Sequence, residues 1–334
     1  MLRWCVFVLC VLLMTTVFAA KKREDDVMGL YLGAFEDGAW QARAIEAKVM
    51  ARGETRWQAA LYVTAGDSDP VRVTVTGERP RDAEAAAFAG DVDLGAALGG
   101  TYAVRGKIED RTFTGHFRQG GGQIAFTLDY TEVTPPSLGA PCPDDGMVLF
   151  DGTNLDQWQR EPEKWCLTED SAMQVCGSGL RTIEEFGSAK MHIEFRTPFM
   201  PDAIGQARGN SGVYVAGIYE LQVLDSFGLP PAWNHCGGIY KISPPSVNAT
   251  LPPAQWQTYD IDFQAAQFNA QGEKTANARI TVIHNGTVIH DDLTLDDRTP
   301  GGMGGGERPQ GPIYLQDHGN DVRFRNIWIV PQEG

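Results

Sequence analysis

The stretch from Gly209 to Asp225 holds two apolar-rich segments hinged at Ala216-Gly217. The first carries Val213, Tyr214 and Val215. The second alternates Tyr219, Leu221 and Val223 with Glu220, Gln222 and Leu224. A repeat of two places alternate side chains on opposite faces of a strand, whereas a helix repeats near 3.6. The stretch therefore predicts a hairpin, with Glu220 and Gln222 on one face and Tyr219, Leu221 and Val223 on the other.

The same alternation recurs along most of the chain. Between residues 28 and 133, segments such as Val71-Arg-Val-Thr-Val-Thr76 and Arg111-Thr-Phe-Thr-Gly-His-Phe117 are separated by Gly, Asp and Pro. Short strands at this spacing predict a small sandwich or barrel. Gln41 to Arg52 reads as strand, Asp82 to Phe88 as one short helical turn, and Gly120-Gly-Gly122 as a hairpin turn. No paired catalytic residues stand out here, and His116 reads as structural. Residues 134–143 hold four prolines and predict an extended linker. From 144 to 332 the strand pattern resumes, for example at Lys190–Arg196, Tyr259–Phe263, Ala278–His284 and Val322–Ile329. Asn285-Gly286 is a strong two-residue hairpin signal. The expected class is all-β: a two-sheet jelly-roll sandwich preceded by a smaller β-sandwich or barrel. Two long loops interrupt the sandwich. Phe227–Pro253 is a candidate lid, and Pro300–Gly306, almost without side chains, is expected to be mobile.

Residues 1–20 place one positive charge before an apolar run that closes on Ala19-Ala20, the pattern of a secretory leader. The expected location is periplasmic or secreted, and no later segment has the length and apolarity of a membrane span. The formal charge of −15 argues against nucleic acid as a partner, since phosphate would be repelled. Beyond the leader lie Cys142, Cys166, Cys176 and Cys236. Cys166 and Cys176 flank a turn and are placed to face each other across a hairpin. Cys142 and Cys236 are then the remaining pair, with free thiols as the alternative. No Cys-x-x-Cys occurs, which disfavours a zinc ribbon.

Several strands present polar groups on one face. His192, Glu194 and Arg196 alternate with Ile193 and Phe195. Gln316 and His318 lie two apart, as do Arg323 and Arg325. If these strands are neighbours of the Glu220–Gln222 strand, one polar floor results. Its Arg, His and Gln content suits directional recognition of hydroxyls and carbonyls. Tyr214, Tyr240 and Trp233 are candidates for stacking on sugar rings. A wet outer sheet face is the bland alternative.

Seven stretches carry a resemblance. They are Leu149-Phe-Asp-Gly-Thr-Asn-Leu-Asp-Gln-Trp158, Met191-His-Ile-Glu-Phe-Arg196, Arg208-Gly-Asn-Ser-Gly-Val-Tyr214, Tyr219-Glu-Leu-Gln-Val-Leu-Asp225, Cys236-Gly-Gly-Ile-Tyr240, Gln255-Trp-Gln-Thr-Tyr259 and Leu315-Gln-Asp-His-Gly-Asn-Asp-Val-Arg-Phe-Arg-Asn-Ile-Trp328. In order, they make residues 144–332 resemble the 3-keto-disaccharide hydrolase family, and the first half lies outside the resemblance. The resemblance implies a concanavalin- or laminin-G-like jelly roll and cleavage of 3-keto-glycosides. It carries over Glu194, Arg196, Asn210, Ser211, Glu220, Gln222, Asp225, Tyr240, Gln316, His318 and Arg325 as candidate pocket residues.

A ketone at C3 acidifies the hydrogen at C2, so a base can open an elimination of the C1 substituent, followed by hydration. That chemistry needs a base, oxyanion stabilisation and an acid at the glycosidic oxygen. His318 or Glu220 is the expected base, and Arg196, Arg325 and Gln222 the oxyanion partners. Glu194 is expected to protonate the leaving group or to hold an arginine. A divalent metal as Lewis acid is an option without a sequential motif behind it. Two other functions fit the same residues: an ordinary glycosidase using Glu194 and Glu220 as its carboxylate pair, and a non-catalytic carbohydrate-binding protein.

Overall fold

Alternation at period two sets the secondary structure throughout, and no α-helix occurs among the described residues. The computed structural model describes residues 26–332 except 37, 39 and 160–163, so the expected leader lies outside the described residues. No helix among them is long and apolar enough to cross a membrane. The chain divides into two compact units, one ending at Glu132 and the other starting at Val133.

The first unit is a closed barrel of eight antiparallel strands between Gly29 and Thr131. The first strand closes on the last, with Leu30 opposite Thr131 and Phe35 opposite Phe126. A barrel of eight strands leaves an interior just wide enough for side chains to fill. Here Tyr31, Phe35, Phe88, Phe113, Phe117 and Phe126 fill it, largely edge to face. Gly33 lets strands approach at the seam, because a Cβ there would overlap the Thr127 carbonyl oxygen. Asp82–Phe88, expected as a helical turn, is instead a turn leading into the strand Ala86–Asp93. Its alanines alternate inward and outward on the barrel wall, so tertiary pairing overrides their helix propensity.

The second unit is a two-sheet sandwich. One sheet has five strands in the order Trp158–Gln159, Leu180–Thr182, Tyr314–Leu315, Ser211–Val215 and Tyr219–Val223. The larger sheet is built around Ala189–Arg196, which lies between Gln257–Gln264 and Arg323–Pro331. The inner faces form one core: Met191, Ile193 and Phe195 from the larger sheet meet Val213, Val215, Leu221 and Val223 from the smaller. The Asn285-Gly286 hairpin forms as expected, with φ of 52° and 84°.

The proline-rich segment expected as a linker belongs to this unit and lies along its larger sheet. Ser137 Oγ donates to Asp260 Oδ2 at 2.5 Å, Gly139 N to Glu194 Oε1 at 2.5 Å, and Asn326 Nδ2 to Ala140 O at 3.0 Å. Prolines favour extended chain, but extended chain also offers its free N–H and C=O groups to a neighbouring sheet. Cys166 and Cys176 form the expected disulfide across their hairpin. The second expected pair does not form. Cys142 is half-buried and free, and Cys236 is buried with its Sγ 3.2 Å from the Tyr259 hydroxyl.

Candidate active site

The hairpin of residues 211–223 turns at Ala216 and Gly217, both at positive φ (51° and 69°). Its second strand is buried on both faces, not half-exposed. Tyr219, Leu221 and Val223 enter the core, and loops cover the opposite face. The loop of residues 227–253 seals the strand's outer edge: Gln222 N donates to Gly238 O, Gly237 N to Gln222 O and Tyr240 N to Glu220 O, at 2.9–3.1 Å. The glycine-rich loop, expected to be mobile, is docked. Thr299 N donates to Ile218 O and Met303 N to Gly217 O, while the bare backbone of Gly301 and Gly302 packs against Tyr214.

Between these loops lies a cavity of about 210 Å³ floored by the smaller sheet. Glu220, Gln222, Tyr214 and Gln316 form its base, Gln206 and Asn210 one wall, and Tyr240, Pro300, Gly301 and His318 its rim. Glu220 is 2% exposed. Burial lifts its carboxyl to about 7, against the opposing hydrogen bond from the Tyr214 hydroxyl. Tyr214 is the cross-strand partner of Glu220, and desolvation keeps its phenol protonated well above the usual range. Gln316 Nε2 in turn donates to the Tyr214 oxygen at 3.1 Å.

Gly212 makes room for the carboxylate. A Cβ there would stand 2.7 Å from Glu220 Oε1 and 3.1 Å from the Tyr214 ring. Gly212→Ala is therefore expected to push Glu220 out of place, costing about 1–3 kcal/mol of stability, as overpacking does. Turnover should fall by about tenfold or more, which is a barrier change of about 1.4 kcal/mol. Denaturant unfolding and steady-state kinetics on one preparation check both.

Six of the eleven residues carried over by the resemblance meet in this cavity: Asn210, Glu220, Gln222, Tyr240, Gln316 and His318. Ser211 supports it from behind, donating through Oγ to Gln316 O at 2.7 Å. Asp225 is not in the cavity. Its carboxylate is buried against Arg208, with Oδ2 2.5 Å from Nε. Gln206 was missed by the sequence reading because it sits in a short 3-10 turn, Gly205–Ala207, in a stretch without strand periodicity. Tyr214, expected as a stacking platform, is fully buried and acts as a hydrogen-bond bridge. Trp233 remains 39% exposed and meets Tyr240 edge to face.

Glu194, Arg196 and Arg325 are elsewhere. Their strands belong to the larger sheet, and their neighbours Ile193, Phe195 and Phe324 point into the core. These three residues therefore lie on the outer face opposite the Glu220 face, with the core between. Glu194 and Glu220 cannot flank one glycosidic bond, which needs carboxyls about 5–9.5 Å apart. Arg196 pairs with Asp170 at 2.6 Å, and Arg325 Nε with Glu194 Oε2 at 2.6 Å. Both guanidiniums also lie over the Trp256 ring. None of this reaches the cavity, so the two arginines stabilise no charge there.

Glu194 instead fastens the proline-rich segment. Burial alone would raise its carboxyl, but the His192 ring 3.5 Å away and hydrogen bonds from Asn326, Gly139 and Arg325 outweigh that and hold it at about 2. A carboxyl depressed on folding adds stability above its unfolded value, lost as the pH falls toward 2. Glu194→Gln is expected to cost about 2–3 kcal/mol at pH 7, with turnover retained in the folded fraction. Urea titration at pH 7 alongside a turnover assay measures it; an undiminished stability with lost turnover would contradict this placement.

The donor set for a metal is thin. Glu220 and His318 are the ionisable ligand types in the cavity lining, and among the described residues no group of three His, Cys, Asp or Glu converges.

A family model described as a 3-keto-alpha-glucoside-1,2-lyase-like domain matches residues 146–330. The chain is 24% identical over 260 residues to a Bacteroides thetaiotaomicron protein named 3-keto-disaccharide hydrolase, covering 62% of this chain and 85% of that one. A crystal structure from Parabacteroides distasonis ATCC 8503, described as a "putative glycosyl hydrolase", is 35% identical. It covers 57% of this chain and 85% of that chain, with a TM-score of 0.51.

Proposed function

The chain belongs to the family of 3-keto-alpha-glucoside-1,2-lyase-like domains, and on that premise we propose that it cleaves 3-keto-glycosides by elimination and hydration in the cavity around Glu220. The observation that carries this reading is a buried carboxyl held at about 7 and surrounded by neutral amides. A base poised near neutrality suits removal of a proton that the C3 ketone has made acidic. The name of the Bacteroides relative supports the same substrate class.

In the proposed sequence Glu220 takes the proton from C2, and the C2–H electrons form an enolate with the C3 oxygen. The enolate collapses to restore the ketone, forms a C1–C2 double bond and breaks the C1–O bond. The leaving oxygen takes a proton, for which His318 at the rim is the assigned donor. Water then adds its oxygen to C1 and its proton to C2. The enolate oxygen needs a hydrogen-bond donor, and the Tyr240 hydroxyl on the rim is the assigned one. The enzyme is assigned to the periplasm or the exterior, where the Cys166–Cys176 disulfide persists.

Turnover of a 3-keto-disaccharide in deuterated water tests the route. Elimination and hydration leave one deuterium at C2 of the product sugar. Product without deuterium at C2 would mean direct displacement at C1 and would remove Glu220 from the role of C2 base.

A further inference from the structure

We infer that Gln206 is a positioning residue that locks the cavity into presenting hydrogen-bond acceptors, so that it selects the hydroxyl-bearing edge of a neutral sugar. The inference deepens the proposed function and rests on the cavity being the sugar site. It starts from three buried side-chain oxygens that have no hydrogen-bond partner: Asn210 Oδ1, Gln222 Oε1 and Gln316 Oε1. All three residues line this cavity. Leaving such atoms unpaired costs about 1–3 kcal/mol each unless a ligand supplies donors.

Their orientation follows from backbone groups. Gln206 Nε2 donates to Asn234 O at 2.8 Å. A carbonyl oxygen accepts only, so the amide nitrogen of Gln206 must point there and its Oε1 must point back. That Oε1 accepts from Gln222 Nε2 at 3.2 Å and from Asn210 Nδ2 at 3.3 Å. Asn210 Nδ2 also donates to the Gln206 carbonyl at 2.8 Å. With both NH₂ groups held, both oxygens are left buried and unpaired beside the cavity that their residues line. Gln316 reaches the same state by another path. The Tyr214 hydroxyl gives its proton to Glu220, so its oxygen accepts from Gln316 Nε2 at 3.1 Å, leaving Gln316 Oε1 unpaired.

The ligand edge that complements this lining carries O–H donors. A carboxylate or phosphate on that edge would meet three oxygens and the Glu220 carboxyl, with no Lys or Arg among the lining residues. The ketone oxygen, an acceptor only, gains nothing from the three unpaired amide oxygens. It is turned toward the rim, where Tyr240 and His318 stand. The amides thus set which way round the sugar sits.

The test compares Gln206→Met, which has the same reach but no acceptor, with Gln206→Glu, which keeps an acceptor for both amides. Kinetics are measured at the pH of maximal wild-type turnover on 3-keto-trehalose and its monodeoxy forms. Gln206→Met is expected to raise KM about tenfold or more, equivalent to about 1.4 kcal/mol, with kcat changed less than about threefold, and Gln206→Glu to recover part of the loss, since it keeps the acceptor but not the donor to Asn234 O. Wild type is expected to lose about tenfold or more on at least one deoxy substrate, and Gln206→Met to lose much less on the same change. An unaltered KM in a folded Gln206→Met, or a wild type indifferent to every deoxy substrate, would overturn the inference. If no keto-glycoside is turned over, calorimetric binding of trehalose and of a glucuronate disaccharide decides it separately. Trehalose binding weakened by Gln206→Met, with the glucuronate unbound, upholds the acceptor lining although the proposed reaction has failed. Equal binding of the two, or a trehalose affinity that Gln206→Met leaves unchanged, overturns it.

Discussion

Glu220→Gln is expected to lower turnover of a 3-keto-glycoside by about 10²–10⁴-fold, the usual contribution of a positioned base, and to make the protein more stable above pH 8. Both effects come from one burial. The carboxyl is 2% exposed, and burial raises it to about 7 from an ordinary 4.5. A group raised on folding binds its proton more tightly in the folded state. Its favourable contribution is complete below about 4.5 and is lost as the pH rises through 7. The full loss is about 3 kcal/mol. The glutamine amide does not titrate and still accepts the Tyr214 hydrogen bond, so the variant should not show this loss. Urea titrations at pH 5 and pH 8 would show wild type losing more stability than Glu220→Gln over that interval. The rate of C2 proton removal by wild type should climb with an apparent midpoint of about 7. A variant with the same pH dependence of stability as wild type would mean that Glu220 titrates normally.

Asp225→Ala is expected to cost about 3–5 kcal/mol of stability, because it leaves a buried guanidinium without its counter-charge. The Asp225 and Arg208 side chains are 2% and 3% exposed, with Nε and Oδ2 2.5 Å apart. Asp225 N also donates to the Arg208 carbonyl at 3.1 Å, so the pair ties the end of the 219–223 strand to the segment carrying Gln206 and Asn210. The double variant Arg208→Met/Asp225→Leu removes both charges and should recover most of the loss. Chemical unfolding of the two single variants and the double measures this cycle. Additive losses would contradict a coupled buried pair.

The faces of each strand were legible from period two. Glu220 and Gln222 share one, and Glu194 and Arg196 share another, as the alternation predicts. What alternation does not encode is which sheet a strand joins. Strand order is set by contacts far apart in sequence: Tyr314–Leu315 sits beside Ser211–Val215, and Arg323–Pro331 beside Ala189–Arg196. Two outer faces of a sandwich look alike in sequence, so one polar floor was expected where there are two. The strands of the first unit, the hairpins at Ala216-Gly217 and Asn285-Gly286 and the Cys166–Cys176 bridge are short-range and were legible, whereas closure into a barrel, with Leu30 opposite Thr131, is long-range and was left open between sandwich and barrel. The docked prolines and glycines were not. Ser137, Gly139, Gly301 and Gly302 make their contacts chiefly through backbone or a small side chain, which composition describes only as loop. Gln206 was hidden for the same reason, since it acts from an irregular segment.

The most direct measurement follows a 3-keto-disaccharide and its unoxidised parent by mass-resolved turnover under identical conditions. The account predicts cleavage of the keto sugar, none of the parent, and loss of that cleavage in Glu220→Gln. Cleavage of the parent would contradict a reaction that depends on the C3 ketone. Binding of either sugar without cleavage would contradict catalysis and leave a carbohydrate-binding protein.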